Sequence, residues 1–444
     1  MPYVPHTELD RKAMLDTIGV QSIDELFSSI PQDLKLKKPL NIPSAKSEPE
    51  LYAHLVSLAR QNVNATEYDW FLGAGIYDRF IPATVGAIIS RGEFLTAYTP
   101  YQPEFSQGYL QTIYEFQTMI AEIYGMDLAN ASMYDAATSM AEAAFMAAGV
   151  TGKNKVVVSA GVHPHYRQVL DTYCWANTVE VQTASLTEGV TTDYHQVDSE
   201  TAAVIVQYPN FLGCIEDLNA ARDAARSAGA LFIVVADPVA CAILPPPGEF
   251  DADIVVGEGQ QLGVAMGYGG PVVGLFACKK EFVRRIPGRI VGRTQDAEGR
   301  PGFTMTLRTR EQDIRREKAT SNICTNEALM ALANTVYLCA LGKNGLTQVA
   351  TSSVRNTQYA IQKLKEVGCN LKFPNSKVFG EFALELPVPA ATVVDKLLEH
   401  KIMAGLPLGN YYAGMENTLL VAVTETRSAA QIDRFAAAVA EVTR

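Results

Sequence analysis

Short apolar runs alternate with helical segments between residue 76 and about residue 320, and this alternation restricts the fold more than any other feature of the chain. The runs predicted as strands are 155–159, 178–183, 202–209, 231–237, 252–259 and 271–279, and the predicted helices are 109–125, 135–149, 163–177 and 216–229. Such alternation indicates βαβ units and a mostly parallel sheet. Because runs such as LFIVVA at 231–236 are apolar throughout, we expect a sheet that is covered on both faces.

The flanking segments have different patterns. Residues 1–75 are predicted to form a helical arm, with Thr7 and Ser22 as helix N-caps and a linker rich in Lys and Pro at 35–49. After residue 325 a helical segment leads into strands and helices without the earlier rhythm. The sequence therefore predicts an arm (1–75), a large α/β domain (76–325) and a C-terminal helical segment with a small α+β domain (326–444).

Charge and hydropathy exclude several classes of function. The net charge is −11, which argues against broad binding of nucleic acid or anionic membranes. No apolar run is long enough to span a bilayer, and the N-terminal MPYVPHTELD lacks the pattern of a secretory signal. We expect a soluble, cytoplasmic protein that contacts neither nucleic acid nor membrane.

Metal, nucleotide and hydrolase motifs are missing from the sequence. The seven cysteines are scattered without a C-x-x-C pair, and the only close histidine pair, HPH at 163–165, is separated by a proline, so no metal site is predicted. Neither G-x-G-x-x-G opening a βα unit nor G-x-x-x-x-G-K-[ST] occurs, and G-x-S-x-G is absent. Nucleotide binding and α/β-hydrolase chemistry therefore have no support.

The pattern that remains is that of a pyridoxal-phosphate scaffold. Such a site needs a carboxylate on the ring nitrogen, a Schiff-base lysine, a stacking ring and a helix N-terminus for the phosphate. Asp237 ends an apolar strand, His163 opens a helix, and MYDAATS at 133–139, with Thr138, is the candidate phosphate turn. The alternatives are a strand-end turn acid, an ordinary helix-start histidine and, because the turn lacks glycine, a plain N-capped helix.

The lysine is missing from this set. Gln261 lies 24 residues after Asp237, where a Schiff-base lysine would fit, and glutamine cannot form an imine. Lys279 and Lys280 follow the next strand and are expected at its far end. The domain is therefore either a degenerate cofactor site or one that never bound the cofactor.

Several long stretches resemble the P-protein family of the glycine cleavage system. They are residues 92–143, 246–271 (PPGEFDADIVVGEGQQLGVAMGYGGP) and 309–325 (TREQDIRREKATSNICT), together with FLGAG at 71–75. The resemblance covers most of the chain, is weakest at its C-terminal end, and is to the N-terminal half of the family's two-part arrangement.

This resemblance implies an aspartate-aminotransferase-like large domain, the fold type I of pyridoxal-phosphate-dependent transferases, with a smaller C-terminal domain. It implies an α₂β₂ assembly in which the β subunit binds pyridoxal phosphate covalently and this chain, the α subunit, does not. The implied reaction decarboxylates glycine and transfers the aminomethyl group to the lipoyl arm of H-protein, beside the T-protein and L-protein of the same system. By itself the chain is expected to be inactive.

Two segments are candidates for the α subunit's own contribution. AYTPYQPEFSQG at 97–108 is predicted to line the active site of the assembly, and its side chains of interest are Tyr98, Thr99, Tyr101, Ser106 and Gln107. The alternative is a tight loop that packs on the sheet. Arg315, Arg316 and Lys318 could contact H-protein or the partner subunit, whereas a basic run such as 307–318 is often a solvated helix face.

Two other classes of function compete with the assembly hypothesis. One is a self-sufficient pyridoxal-phosphate enzyme that uses an unexpected lysine, and the missing lysine near residue 261 counts against it. The other is a structural or regulatory subunit that binds a partner and adds nothing to the site.

Overall fold

The computed structural model describes residues 5–444, and the chain divides into two units, Met1–Val63 and Asn64–Arg444. In the first unit, helix Glu8–Ile18 begins at Thr7, whose hydroxyl accepts from the Asp10 amide, so this predicted N-cap is confirmed. Ser22 stands at the predicted N-cap position, but the helix that it precedes, Ile23–Phe27, is a short 3₁₀ helix, and the Ser22 side chain makes no capping bond. A third helix spans Glu48–Ala59.

A seven-stranded sheet organises the second unit. The strands in order across the sheet are Leu128–Ala129, Gly274–Cys278, Ile254–Glu258, Leu231–Ala236, Thr201–Tyr208, Lys155–Ser159 and Glu180–Ala184. The last five run parallel, whereas Gly274–Cys278 is antiparallel to both of its neighbours. The predicted mostly parallel sheet is confirmed.

Helices cover both faces of this sheet, as the apolar strands predicted. Along strand Thr201–Tyr208, Val204 and Val206 belong to one buried cluster and Ala203 and Ile205 to the other. The helices of the large domain are Ala83–Ile89, Gly92–Leu95, Gln107–Tyr124, Ala136–Thr151, Pro164–Ala176 and Leu218–Ala228. Successive residues of a central strand therefore pack alternately against the helices on one face of the sheet and those on the other.

One predicted helix end is wrong. The helix expected to stop at Gly149 runs on to Thr151, and Gly152, with φ of 71°, ends it. The left-handed conformation that terminates a helix favours glycine, and the sequence offered two glycines three residues apart. The first remains inside the helix.

The C-terminal part has the predicted α+β composition. A long helix, Ala328–Glu366, is interrupted at Gly342 and leads into a four-stranded sheet in the order Asn370–Leu371, Glu381–Glu385, Thr418–Ala422, Leu406–Pro407. Helices Ala390–Glu399 and Ala429–Val442 pack beside it, and Ser428 caps the second as predicted. Strand Asp69–Trp70 pairs with Ile402–Met403. The predicted domain boundaries at 75 and 325 stay predictions.

Two antiparallel strand pairs and the course of the basic run were among the features that the sequence did not predict. Ile290–Gln295 and Pro301–Thr306 form an antiparallel hairpin, and Leu186–Thr187 pairs with Val190–Thr191. The basic run 307–318 is not one helix face: it consists of the short turns Arg308–Arg310, Gln312–Arg315 and Arg316–Lys318. Positive φ values at Leu307 and Arg316 break the helical path. Among residues 5–444, no helix has the length and apolarity required to cross a bilayer.

Candidate functional site

A small cavity of about 50 Å³ lies at the carboxyl edge of the parallel strands. Asp237 and Gln261 line it where strands Leu231–Ala236 and Ile254–Glu258 have ended, and other walls come from Tyr77, Tyr166, Glu258 and Glu381. Ligands of open α/β sheets bind outside this edge. The cavity is therefore the position at which a scaffold of this kind would hold a cofactor.

Asp237 and Gln261 bond directly to each other. The Gln261 side-chain amide donates to Asp237 Oδ2 at 2.9 Å, and the amides of Val239 and Ala240 donate to Oδ1 at 2.7 and 3.0 Å. In pyridoxal phosphate the ring nitrogen and the carbon that bonds a lysine lie on opposite sides of the ring. Because Asp237 and Gln261, the residue at the lysine position, contact each other directly, no room is left for that ring between them.

Gln261 is itself held by a buried arginine. Arg79, 8% exposed, donates from Nε to Gln261 Oε1 at 2.8 Å and from Nη1 to Glu425 at 2.6 Å and to Ser353 Oγ at 3.1 Å. This single side chain joins the large domain, the long helix and the C-terminal sheet region. The neighbouring glutamine, Gln260, exchanges two bonds with the backbone of Tyr77, so both glutamines have structural partners.

His163 is also fully engaged. Its Nδ1 accepts from the His165 amide at 3.1 Å, and its Nε2 bonds to the Ala74 carbonyl at 3.0 Å. The ring stacks on Tyr166, with centroids 4.4 Å apart and planes at 15°. Burial lowers the pKa of His163 to about 4, so the ring is neutral near pH 7. One face of the ring therefore already packs on a tyrosine.

The helix N-terminus at 136 is occupied by carboxylates of the chain itself. Asp135 Oδ1 accepts from the Thr138 amide at 2.7 Å, and Glu258 Oε2 accepts from the Ala136 amide at 3.2 Å. The Thr138 hydroxyl lies 3.0 Å from Asp135 Oδ1. These are the N–H groups that would bind a phosphate. The turn is therefore an N-capped helix, which was the alternative to a phosphate turn.

The charge of the cavity gives the same result. Asp237, Glu258 and Glu381 line it, and in the described part of the chain none of its lining residues is a lysine, arginine or histidine. Burial raises the pKa of Glu258 to about 7. A phosphate dianion would have to enter a space of about 50 Å³ beside these acids. Pyridoxal phosphate does not fit this cavity as the chain builds it.

Glu381 links the cavity to the extended segment before residue 80. Its Oε1 accepts from the Ala74 amide and its Oε2 from the Tyr77 hydroxyl, both at 2.6 Å. Burial raises the pKa of Glu381 to about 7, and the charge of Asp237 adds to the effect. The protonated form is therefore favoured by folding.

This raised pKa predicts how stability depends on pH. A carboxyl whose pKa is higher in the folded protein contributes stability below its unfolded value of 4.5 and loses it as the pH rises through about 7. Replacing Glu381 by glutamine should therefore remove a loss of roughly 2–3 kcal/mol between pH 5 and pH 8. Urea unfolding of wild type and Glu381→Gln at both pH values measures the difference. Parallel pH profiles for the two proteins would contradict the prediction.

Lys279 and Lys280, the other lysines considered for the Schiff base, lie at the far end of their strand, as predicted. Lys279 follows strand Gly274–Cys278 at the opposite edge of the sheet and pairs with Asp253 at 2.8 Å and Asp251 at 2.5 Å. The Lys280 amide bonds to Asp127. Neither lysine lines the cavity.

The segment 97–108 lies apart from this cavity, since none of its five predicted residues lines it. Tyr101 accepts a bond from Arg289 at 2.9 Å, and the guanidinium groups of Arg289 and Arg308 each lie 5.3 Å from its ring centroid. Gln107 exchanges bonds with the backbone of Phe303 at 2.8 and 2.9 Å.

The other three predicted residues of this segment make fewer contacts. Tyr98 is 85% exposed. The Thr99 carbonyl accepts from the Tyr101 amide, and Ser106 precedes helix Gln107–Tyr124 without a side-chain capping bond. The segment is therefore fixed at Tyr101 and Gln107 and presents Tyr98 outward.

Sequence reasoning missed several polar members of the site. Arg79, Tyr77, Tyr166, Glu258 and Glu381 were not singled out, although Glu258 and Glu381 lie within predicted strands. An acid at a position of an apolar strand that should be buried was the available signal, because a charge is rarely buried without partners.

Comparison with known proteins agrees with this fold and sequence. The family described as "Glycine cleavage system P-protein" matches residues 1–439. The probable glycine dehydrogenase (decarboxylating) subunit 1 of Geobacillus sp. (strain WCH70) is 50% identical over 437 residues, which is 98% of this chain and 97% of that protein.

Two solved structures define the fold. The crystal structure of glycine decarboxylase (P-protein) of the glycine cleavage system, in inhibitor-bound form, has a TM-score of 0.91 and 46% identity over 100% of both chains. Lactobacillus brevis glutamate decarboxylase, 12% identical, has a TM-score of 0.66 over 93% of this chain and 95% of that one. The predicted pyridoxal-phosphate-dependent fold type I is confirmed, and this chain belongs to the glycine cleavage system P-protein family.

Proposed function

We propose that this chain acts as subunit 1, the α subunit, of a glycine decarboxylase whose β subunit carries pyridoxal phosphate covalently on a lysine. The observation that supports this division is the direct Gln261–Asp237 bond in a small acidic cavity at the cofactor position. The bound cofactor supplies an electron sink for the decarboxylation of glycine. The aminomethyl group then passes to the lipoyl arm of H-protein, and T-protein and L-protein are the other members of the system.

The contribution of this chain is to complete the wall of an active site that it shares with the β subunit in an α₂β₂ assembly in the cytoplasm. Tyr98, Thr99, Tyr101, Ser106 and Gln107 form that wall. Tyr98 and Phe105 are each 85% exposed, which suits residues that a second chain or a substrate covers. Arg289 and Gln107 anchor the segment, so its exposed groups are held in place before the partner binds.

Arg315, Arg316 and Lys318 are proposed to contact H-protein or the partner subunit. All three are exposed on short turns rather than on one helix face. Exposed cations of this kind speed association with an acidic partner more than they add to its affinity.

The decisive experiment compares the chain alone with the chain plus a matching β subunit. Alone, with added pyridoxal phosphate, it should show no visible band that borohydride fixes onto a lysine, and no release of CO₂ from carboxyl-labelled glycine. With the β subunit and lipoylated H-protein, CO₂ release should appear. The variant Gln261→Lys should also remain without a fixed pyridoxyl group, because the cavity stays small and acidic.

Other outcomes would favour the competing functions. A pyridoxyl group fixed on one lysine of the wild-type chain, with activity, would make it an enzyme in its own right. Full activity of the β subunit in the absence of this chain would mean that the chain is a structural or regulatory subunit.

A further inference from the structure

A second, larger cavity lies beside the short turns of 307–318. It has a volume of about 320 Å³, and its lining residues are Arg284, Arg285, Arg310, Arg315 and Lys318, together with Leu307, Thr309 and Thr320. Small-molecule sites measure roughly 300–1,000 Å³, so this cavity is large enough for a ligand of modest size. In the described part of the chain, no acidic residue lines it.

The basic side chains of this cavity form no direct ion pairs in the described part of the chain. The ion pairs of the surrounding segments are Arg308–Asp313 at 2.6 Å and Arg289–Glu311 at 3.9 Å, and within residues 5–444 none of the five basic side chains of the cavity lies within 4.0 Å of a carboxylate oxygen. A concave wall of one sign concentrates the electric field and attracts counter-ions. The basic side chains are therefore available to bind an anion from solution.

Arg310 is the most deeply buried of the five basic residues that line the cavity. Arg310 is 8% exposed. Its guanidinium group donates to the carbonyl oxygens of Leu307 at 3.1 Å, Gly288 at 3.0 Å and Ile286. Those carbonyls fix the orientation of the group but do not cancel its charge. A buried cation ordinarily has a carboxylate or another anion beside it.

The side chains favour phosphate over other anions. Guanidinium forks match the geometry of phosphate oxygens, and a lysine ammonium and threonine hydroxyls add single donors. Five cationic groups exceed the charge of one carboxylate or one phosphate and suit two linked phosphates. We propose that this cavity binds a small molecule that carries two phosphate groups.

This proposal goes beyond the decarboxylase function and does not depend on it. It does share Arg315 and Lys318 with the proposed contact to H-protein or the partner subunit. An acidic segment of a protein could enter the same cavity, so the experiment must separate the two occupants.

The test is calorimetric titration of the full-length chain with inorganic pyrophosphate at constant ionic strength. The expected result is saturable binding of one pyrophosphate per chain. The variant Arg284→Ser/Lys318→Ser should bind pyrophosphate at least roughly tenfold more weakly than the wild type does, because each charge-assisted bond to phosphate is among the stronger polar contacts. The control Arg293→Ser/Lys343→Ser removes equal charge outside the cavity from exposed residues and should bind as wild type does.

Three results would overturn the proposal. They are the absence of saturable binding, equal weakening in the control variant, and loss of pyrophosphate binding once the chain is assembled with a β subunit. The last would show that a protein segment fills the cavity. Failure of the decarboxylase assay has no bearing on the titration, so the two proposals fail separately.

Discussion

Replacing Arg79 by methionine is expected to lower the free energy of unfolding by about 3–5 kcal/mol, because a buried charge pair would lose one partner. Arg79 has a side chain that is 3% exposed, and Glu425, its partner at 2.6 Å, is 12% exposed. The substitution would leave the Glu425 carboxylate buried without its cation. It would also deprive Gln261 Oε1 of the donor at 2.8 Å that orients its amide toward Asp237.

Urea unfolding followed by circular dichroism at pH 7 measures this loss. The control is Arg300→Met, because Arg300 pairs with Asp296 at 2.7 Å while 73% of its side chain is exposed. Exposed pairs contribute about 0–1 kcal/mol, so the control should be nearly silent. A loss for Arg79→Met as small as that of the control would mean that Glu425 and Gln261 find other partners, and the proposed role of Arg79 would be wrong.

The positions of Asp237 and Gln261 could be predicted from the sequence, but the contact between them could not. Asp237 and Gln261 were found because each follows an apolar strand, and neighbouring parallel strands end at the same edge. Their direct bond could not be predicted, since it depends on Arg79 and on the small volume of the cavity. Arg79 meets Glu425 across 346 residues, and no local pattern records a contact of that kind.

The basic run 307–318 was harder to interpret for a different reason. Its composition suits a solvated helix, but Leu307 and Arg316 adopt positive φ values of 55° and 52°. The first breaks the helical path before Arg308–Arg310, and the second breaks it between Gln312–Arg315 and Arg316–Lys318. Arg310 then turns inward to the carbonyls of Ile286 and Gly288, contacts that tertiary structure alone determines. The hairpin Ile290–Gln295 and Pro301–Thr306 lacks long apolar runs, so its strands were equally hard to find.

Replacing Tyr101 by alanine is expected to lower kcat/KM of the assembled decarboxylase roughly 10²-fold, the scale of loss when a small displacement misaligns an active-site group. Two guanidinium groups lie 5.3 Å from the Tyr101 ring centroid, and the Tyr101 hydroxyl accepts from Arg289, a residue that is 4% exposed. Alanine would remove both cation–π contacts and one acceptor from a buried arginine. The segment 97–108 would then lose its fixed position at one of its two anchors.

Three variants separate a role in the site from a role in assembly. Tyr101→Phe keeps the ring beside Arg289 and Arg308 and should retain much more activity than Tyr101→Ala. Trp175→Ala removes an 82% exposed aromatic from a helix far along the chain and should leave kcat/KM unchanged. Sedimentation of each variant with the β subunit tests whether the assembly is intact. Full activity of Tyr101→Ala in an intact assembly would mean that this segment packs on the sheet and does not line the active site.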